Sequence, residues 1–404
     1  MAGGRPWIAL RCGTARLERH TALLAHCWEQ PLSMRPDARP NAQRALATAL
    51  VLCLALILTA CSNGAPARGA AHATSSGRSG TKSPRPPAAT TTMNPTTTTS
   101  TPPVPKLPVP LPTPAPLIPL TSPAPVGEGA WTAAGRPVNG IPAVYETTLV
   151  PPGGAQAAGI AWMDTRLLSA QLYSGSKSPG GGPYEFTAPV QPTQAAKLVA
   201  AFNGGFMMNA AKGGYYTEGR TVVPLVARAA SLVIYTNGSV TVGAWGSDVS
   251  MAPDVVAVRQ NLVPLVAGGQ PTAQATSPDW QAWGATCGVT SCSSKVPGIE
   301  NQWRSGAGVT AGGALVYIAG PDLTPLQLAQ LLVQAGVIRG MELDINPNWP
   351  VFATYDPSTS TGLATPSNGS SLQPSSVQNA GTFFDPAWAR DFITMSVEPT
   401  AVAG

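Results

Sequence analysis

Leu323-Thr-Pro-Leu-Gln-Leu-Ala-Gln-Leu-Leu-Val-Gln-Ala-Gly336-Val-Ile-Arg-Gly-Met-Glu-Leu-Asp-Ile-Asn346 changes hydrophobic period halfway along. Thr324 supplies an N-cap, Pro325 the first helical position and Gln327 the reciprocal side chain of a capping box. Leu328, Ala329, Leu331 and Leu332 continue an apolar face, and Gly336 suits the helix stop. From Val337 the period falls to two. Over an expected strand Val337–Asn346, Met341, Leu343 and Ile345 face one side, and Glu342, Asp344 and Asn346 the other. A capped helix running straight into a strand predicts a mixed α and β architecture.

The flanking sequence adds mostly strands. Ser231-Leu-Val-Ile-Tyr235 and Ser239-Val-Thr-Val-Gly243 surround Thr236-Asn237-Gly238, a strong hairpin signal. Gly306–Thr310 and Ala314–Ile318 form a second across Ala311-Gly312-Gly313. Residues 356–381 read as a long mobile loop before a last strand near Phe392–Val397. The expected fold class is α+β: one mixed domain over residues 127–404, with a twisted, largely antiparallel sheet and a few packed helices.

Ahead of that domain the composition differs. The 404 residues carry 24 Lys+Arg and 19 Asp+Glu, a net charge of +5. Residues 1–126 hold 12 basic and 3 acidic side chains, whereas residues 127–404 hold 12 and 16. The basic excess thus belongs to the leader and linker and implies no nucleic-acid partner for the domain. His20, His26 and His72 all precede residue 127. A Ser-His-Asp triad, a Cys-His pair or a His-ligated metal is therefore excluded from the domain.

The apolar run of residues 45–60 follows Arg35, Arg39 and Arg44 and is too short to span a bilayer, which needs about 20 residues. It ends in Leu58-Thr59-Ala60-Cys61, which resembles a bacterial lipobox with Cys61 as the lipidated residue. Residues 34–60 are read as a lipoprotein signal peptide, with a signal anchor and a chance cysteine as the alternative, and residues 1–33 as an over-extended gene start or else a cytoplasmic tail. Residues 62–126 hold no Asp or Glu, and 16 of these 65 residues are Pro. With Thr and Ser filling much of the rest, residues 61–126 are expected to be a disordered spacer with polyproline II character. Cys287 and Cys292 are the thiols left in an exported domain, and a short-loop disulfide is the expected pairing.

Several segments carry groups fit for chemistry. Glu342 and Asp344, about 6.5–7 Å apart on one strand face, are spaced like carboxyl pairs that share acid–base work; a simply solvated face is the alternative. Asn203-Gly204-Gly205 lets backbone N–H groups approach an anion, or is only a tight turn. Arg304 presents a planar fork of donors suited to phosphate or carboxylate. Tyr215-Tyr-Thr-Glu218-Gly219-Arg220 places a carboxylate and a cation in a turn, either a pocket wall or a surface ion pair. Most of the tryptophans are expected in the core.

In chain order, AAFNGGF, the turn with a charge pair, WRSGAGV, LVYIAG and LTPLQLAQLLVQAGVIRGMELD resemble the phosphodiester glycosidase domain family. The mammalian member of that family removes N-acetylglucosamine from a phosphodiester to expose mannose 6-phosphate. The resemblance covers roughly residues 140–400, and MELDINPNWPVF looks like an actinobacterial branch. The family pattern closes on Asp-Gly-Gly, where this chain has Asp344-Ile345-Asn346. The resemblance implies a hydrolase of glycosyl phosphodiesters; the leader and lipobox imply an extracytoplasmic, lipid-anchored location, from which envelope glycosyl phosphodiesters or phosphate-linked wall polysaccharide are the expected substrates. Asp344, with Glu342 and Glu218 as partners, would be catalytic. Asn203, Gly204, Gly205 and Arg304 would hold the phosphate, and Asn346 a sugar hydroxyl. No cofactor is expected; Ca²⁺ would need an oxygen-rich loop that the sequence does not display. Two further readings stay open: a binding lipoprotein of the same fold, and a structural wall lipoprotein.

Overall fold

The structure is a computed structural model that describes residues 108–278, 283, 285–287, 295–297, 301–359 and 362–398. In chain order the strands are β1 (Thr132–Ala134), β2 (Val144–Leu149), β3 (Ala158–Met163), β4 (Leu168–Tyr173), β5 (Leu198–Asn203), β6 (Tyr215–Thr217) and β7 (Arg220–Val223). Then come β8 (Ala230–Tyr235), β9 (Val240–Ala244), β10 (Val255–Gln260), β11 (Pro264–Ala267), β12 (Gln270–Pro271), β13 (Ala285–Cys287) and β14 (Lys295–Pro297). The last are β15 (Gln302–Thr310), β16 (Leu315–Leu323), β17 (Val337–Glu342), β18 (Phe352–Tyr355), β19 (Gly369–Ser371) and β20 (Phe392–Val397).

Three antiparallel sheets enclose the main core. The large one runs β1-β2-β3-β16-β15-β17-β11-β12, and the two smaller ones β19-β18-β5-β20-β4 and β7-β6-β10-β8-β9. Strand alternation sorts the side chains. On β16, Leu315, Tyr317 and Ala319 join the central core, and Val316 and Ile318 join a second cluster on the other face. Opposite them, β5 sends Phe202 inward and β8 sends Leu232 and Ile234. Tyr317 lies 5.3 Å from Phe202 and 5.2 Å from Phe352, ring to ring, so aromatic contact ties the large sheet to the β5 sheet.

The second cluster is closed by the helix Pro325–Gln334, whose Leu328, Leu331 and Leu332 are fully buried. Its capping box is formed as expected: Thr324 Oγ1 accepts from Gln327 N (3.2 Å), and the Gln327 side chain accepts from Thr324 N (2.9 Å). Gly336 ends it at φ +82°. The other α-helices among the described residues have four residues each, so the fold is mostly antiparallel sheet with few helices.

The hairpin around Asn237-Gly238 pairs Ala230↔Ala244 through Ile234↔Val240, and β15–β16 forms the second expected hairpin. Three expectations need correction. The strand from Val337 stops at Glu342; Leu343 stays in the central core while Ile345 turns to the helix-side cluster, so strict alternation fails beyond Leu343. Residues 356–381 contain β19, which pairs with β18, and bury Ala364 and Leu372. The spacer also stops short of residue 126, because residues 108–120 lie against the domain, with Leu111 8% exposed. The extension, the leader, Cys61 and the spacer up to residue 107 lie outside the described residues, as does Cys292 and hence the Cys287–Cys292 pairing.

Candidate functional site

The Asn203 turn is the hub where the sheets meet. Asn203 ends β5 and is 1% exposed. Its Oδ1 accepts from Tyr317 Oη (2.7 Å) and Val351 N (3.0 Å), and its Nδ2 donates to Gly204 O (2.8 Å) and Ser305 Oγ (3.0 Å). Every polar position of this amide is used within the chain. Ser305 in turn accepts from Asp344 N (3.1 Å), and Ser305 N donates to Asp344 O (2.8 Å). Asn203, Ser305 and Asp344, more than a hundred residues apart in part, are thereby locked together.

The two glycines serve packing. A Cβ on Gly204 would lie 2.0 Å from Asp391 Oδ2, and one on Gly205 2.6 Å from Asn261 Oδ1. Gly204 N donates to Asp391 O (2.8 Å). The cradle expected for a ligand anion is thus filled by the chain's own Asp391, which Arg259 grips through Nε–Oδ2 (2.6 Å) and Nη2–Oδ1 (3.1 Å). Asn261 accepts from Phe206 N (3.0 Å) and donates to the carbonyls of Glu342 and Leu343 (2.9 Å each), fixing the end of β17.

Glu342 and Asp344 pair with different arginines, although the Asp344 charge still acts on the Glu342 carboxyl. Ala307 and Val309 of β15 point into the central core, so Arg304 points to the helix side, where its Nη1 meets Glu342 Oε2 at 2.8 Å and its Nε donates to Leu323 O (2.5 Å). Both residues are fully buried. The Arg304 guanidinium, expected on phosphate, is spent on holding the strand end to the start of the helix. Burial pushes the Glu342 carboxyl up to about 7, against the pull of Arg304.

Asp344 engages a different arginine. It is 1% exposed; its Oδ1 accepts from Asn346 N (3.0 Å), and its Oδ2 lies 3.6 Å from Arg390 Nη2. Among the described residues, Asp344 Oδ2 and the Arg390 Nε and Nη1 atoms have no hydrogen-bond partner, although all three are buried. Groups of this kind are costly to bury unpaired. The Arg390 guanidinium sits 4.4 Å over the Trp349 ring, and Trp349 packs edge-on against Trp388 at 5.2 Å. Burial raises the Asp344 carboxyl to about 6, with Arg390 opposing the rise, and lowers the Arg390 pKa. Half-buried Trp349 and Asn346, with exposed Pro347 and Asn348, make up the loop over this centre.

Glu218 is elsewhere. It sits at the β6–β7 hairpin tip with φ +50°, accepts from Phe186 N (3.0 Å) and lies 3.8 Å from Arg220. It lines a groove of about 730 Å³ with Tyr216, Tyr235 and Glu398, a groove to which neither Asp344 nor Arg390 contributes. The turn is thus a pocket wall and carries an ion pair. Arg390, Asp391, Arg259 and Asn261 were not singled out from the sequence. The available signal was Arg390-Asp391 behind Trp388, a charged pair beside an aromatic in a chain with 11% charged residues. Among the described residues no group of three His, Cys, Asp or Glu side chains is placed to hold a metal ion.

No family model matches the chain, and no curated protein matches it. Among solved structures it is similar to the catalytic domain of zebrafish N-acetylglucosamine-1-phosphodiester alpha-N-acetylglucosaminidase, auto-inhibited by its pro-peptide. The identity is 15% and the TM-score 0.36, over 66% of this chain and 87% of that one. A hypothetical protein from Synechocystis is similar at 12% identity and a TM-score of 0.33, over 66% of this chain and 64% of its own. Likenesses of this size carry no argument about activity.

Proposed function

We propose that the chain is an extracytoplasmic lipoprotein, anchored through Cys61, that hydrolyses the sugar–phosphate bond of envelope glycosyl phosphodiesters. The observation that carries this reading is the Asp344–Arg390 centre: a carboxylate and a guanidinium side by side, buried, with polar atoms unused, against an indole ring. A phosphodiester supplies acceptors for Arg390, and a sugar hydroxyl supplies a donor for Asp344 Oδ2. In the reaction, water adds to the anomeric carbon as the bond to the phosphate oxygen breaks. Asp344 takes the water proton, and the phosphate monoester departs with its charge beside Arg390. The motif order of the sequence resemblance supports the same substrate class. Arg390 takes the phosphate role that the sequence suggested for Arg304, and Glu342 serves to position the strand end.

The second reading, a binding lipoprotein that holds sugar phosphate without cleaving it, is favoured by one feature. Ile345, in place of the family glycine, is 1% exposed in the helix-side cluster and makes the loop after Asp344 part of the core. The two readings separate on incubating the full chain and its Asp344→Asn variant with N-acetylglucosamine-1- and mannose-1-phosphodiesters. Reducing sugar released by the parent alone is the expected result. Saturable binding in calorimetry with no release from any substrate establishes the binding protein instead.

A further inference from the structure

Residues 108–120 read Pro-Val-Pro-Leu-Pro-Thr-Pro-Ala-Pro-Leu-Ile-Pro-Leu. Proline at 108, 110, 112, 114 and 116 fixes its own φ near −65° and drives each preceding residue to extended backbone. The segment has neither helix nor strand, and polyproline II, with three residues per turn, is the conformation such a sequence prefers. Its burial follows that period. Pro108, Leu111, Pro114, Leu117 and Leu120 are buried or half-buried, while Val109, Pro112, Thr113, Ala115, Pro116 and Ile118 are exposed. Two neighbours, Pro110 and Pro119, widen the stripe. A threefold helix laid on a surface by one edge gives this pattern; a chance coil does not.

The surface beneath is built to receive it. Trp131 Nε1 donates to Ala115 O (2.8 Å), Gln334 Nε2 donates to Ile118 O (2.8 Å), and Asp164 Oδ2 accepts from Leu111 N (2.7 Å). Leu117 N donates to Gly129 O (2.9 Å). The apolar space between segment and domain, about 490 Å³, is walled by Trp131, Trp162, Ala314 and Gly336. An aromatic-walled groove with an indole N–H aimed at a peptide carbonyl is the usual means of reading a proline-rich helix.

We propose that the Trp131–Trp162 face is a polyproline II docking surface whose resident ligand is residues 108–120 of the same chain. The stiff ligand loses little conformational freedom on docking, so a modest interface holds it. The linker is then clamped to the domain rather than merely continuous with it. Clamping removes thirteen residues from the free tether, about 40 Å at roughly 3.1 Å per residue. Release of the clamp lengthens the reach of the domain by that amount.

The test uses the full chain and a Leu111→Asp/Leu117→Asp variant, probed with a fluorescent peptide of residues 106–120 and a scrambled control. The variant is expected to bind the native-order peptide at least tenfold more tightly than the parent does, because the parent's groove is occupied, and to ignore the scrambled peptide. Equal binding by variant and parent, or equal affinity for both peptides, overturns the proposal. Hydrogen exchange on the unaltered chain decides the matter if the variant does not fold. Leu111 and Leu117 amides slowed at least a hundredfold relative to a free peptide uphold the clamp, and amides exchanging at free-peptide rates refute it.

Discussion

At the scale of single residues, Asp344 carries two expectations of opposite kind. As the group beside Arg390 with an unused oxygen, it is expected to lose hydrolysis by about 10²–10⁴-fold as Asp344→Asn, the range for removal of a positioned acid or base. Its carboxyl is raised by burial to about 6 from an ordinary 3.8, and those of Glu342 and of Glu146, on β2, to about 7 from 4.5. Raised carboxyl pKa values mean that the unfolded chain gives up these protons first. Their contribution to stability is full below about pH 4 and is lost as pH rises through 6 to 7. Thermal melts should give a higher midpoint at pH 5 than at pH 8, and the Asp344→Asn chain a smaller difference; an unchanged difference would show that the Asp344 carboxyl has the same pKa in the folded and the unfolded chain. Gly204 gives a purely steric case. A Cβ there meets Asp391 Oδ2 at 2.0 Å and Asp391 O at 2.8 Å, so Gly204→Ala should destabilise by about 2–3 kcal/mol in urea unfolding.

At the scale of elements, the helix Pro325–Gln334 owes its start to Thr324, and Thr324→Ala should lower the unfolding free energy by about 1 kcal/mol without altering the sheet signal in far-ultraviolet circular dichroism. A loss indistinguishable from zero would mean that packing of Leu328, Leu331 and Leu332 alone sets the helix start. This helix was legible because its cap, proline and stop are local signals. The β8–β9 hairpin was legible for the same reason, since Asn237-Gly238 fixes the turn and the turn fixes the register. The arginine partners of Glu342 and Asp344 were not legible, because alternation stops describing the chain where β17 ends at Glu342. Asn261 holds the carbonyls of Glu342 and Leu343, and the chain turns there, so the two carboxylates take separate arginines from distant segments. Arg390 could not be tied to Asp344 by any local rule, because only the pairing of β20 beside β5 brings it to the Asn203 hub.

At the scale of the whole molecule, low charge and abundant proline describe two regimes of one chain. Composition describes residues 61–126 as one disordered spacer with polyproline II character, yet proline has two uses there, since residues 108–120 lie against the domain. What separates the two uses is the regular spacing from Pro108 to Pro116 and the presence of Trp131 and Trp162 to receive it. If residues 34–60 are a lipoprotein signal peptide, the chain sits on a membrane through Cys61 with the basic residues of 61–126 nearest the lipid. A diacylated Cys61 gives two chains and hence stable anchoring, where one acyl chain is only marginal. The full-length precursor expressed in a bacterial host is therefore expected to partition into the detergent phase of a Triton X-114 separation and to incorporate labelled palmitate. Cys61→Ala should abolish the label. If the label persists in that variant, the lipid sits on another residue and the boundary between leader and tether must be redrawn.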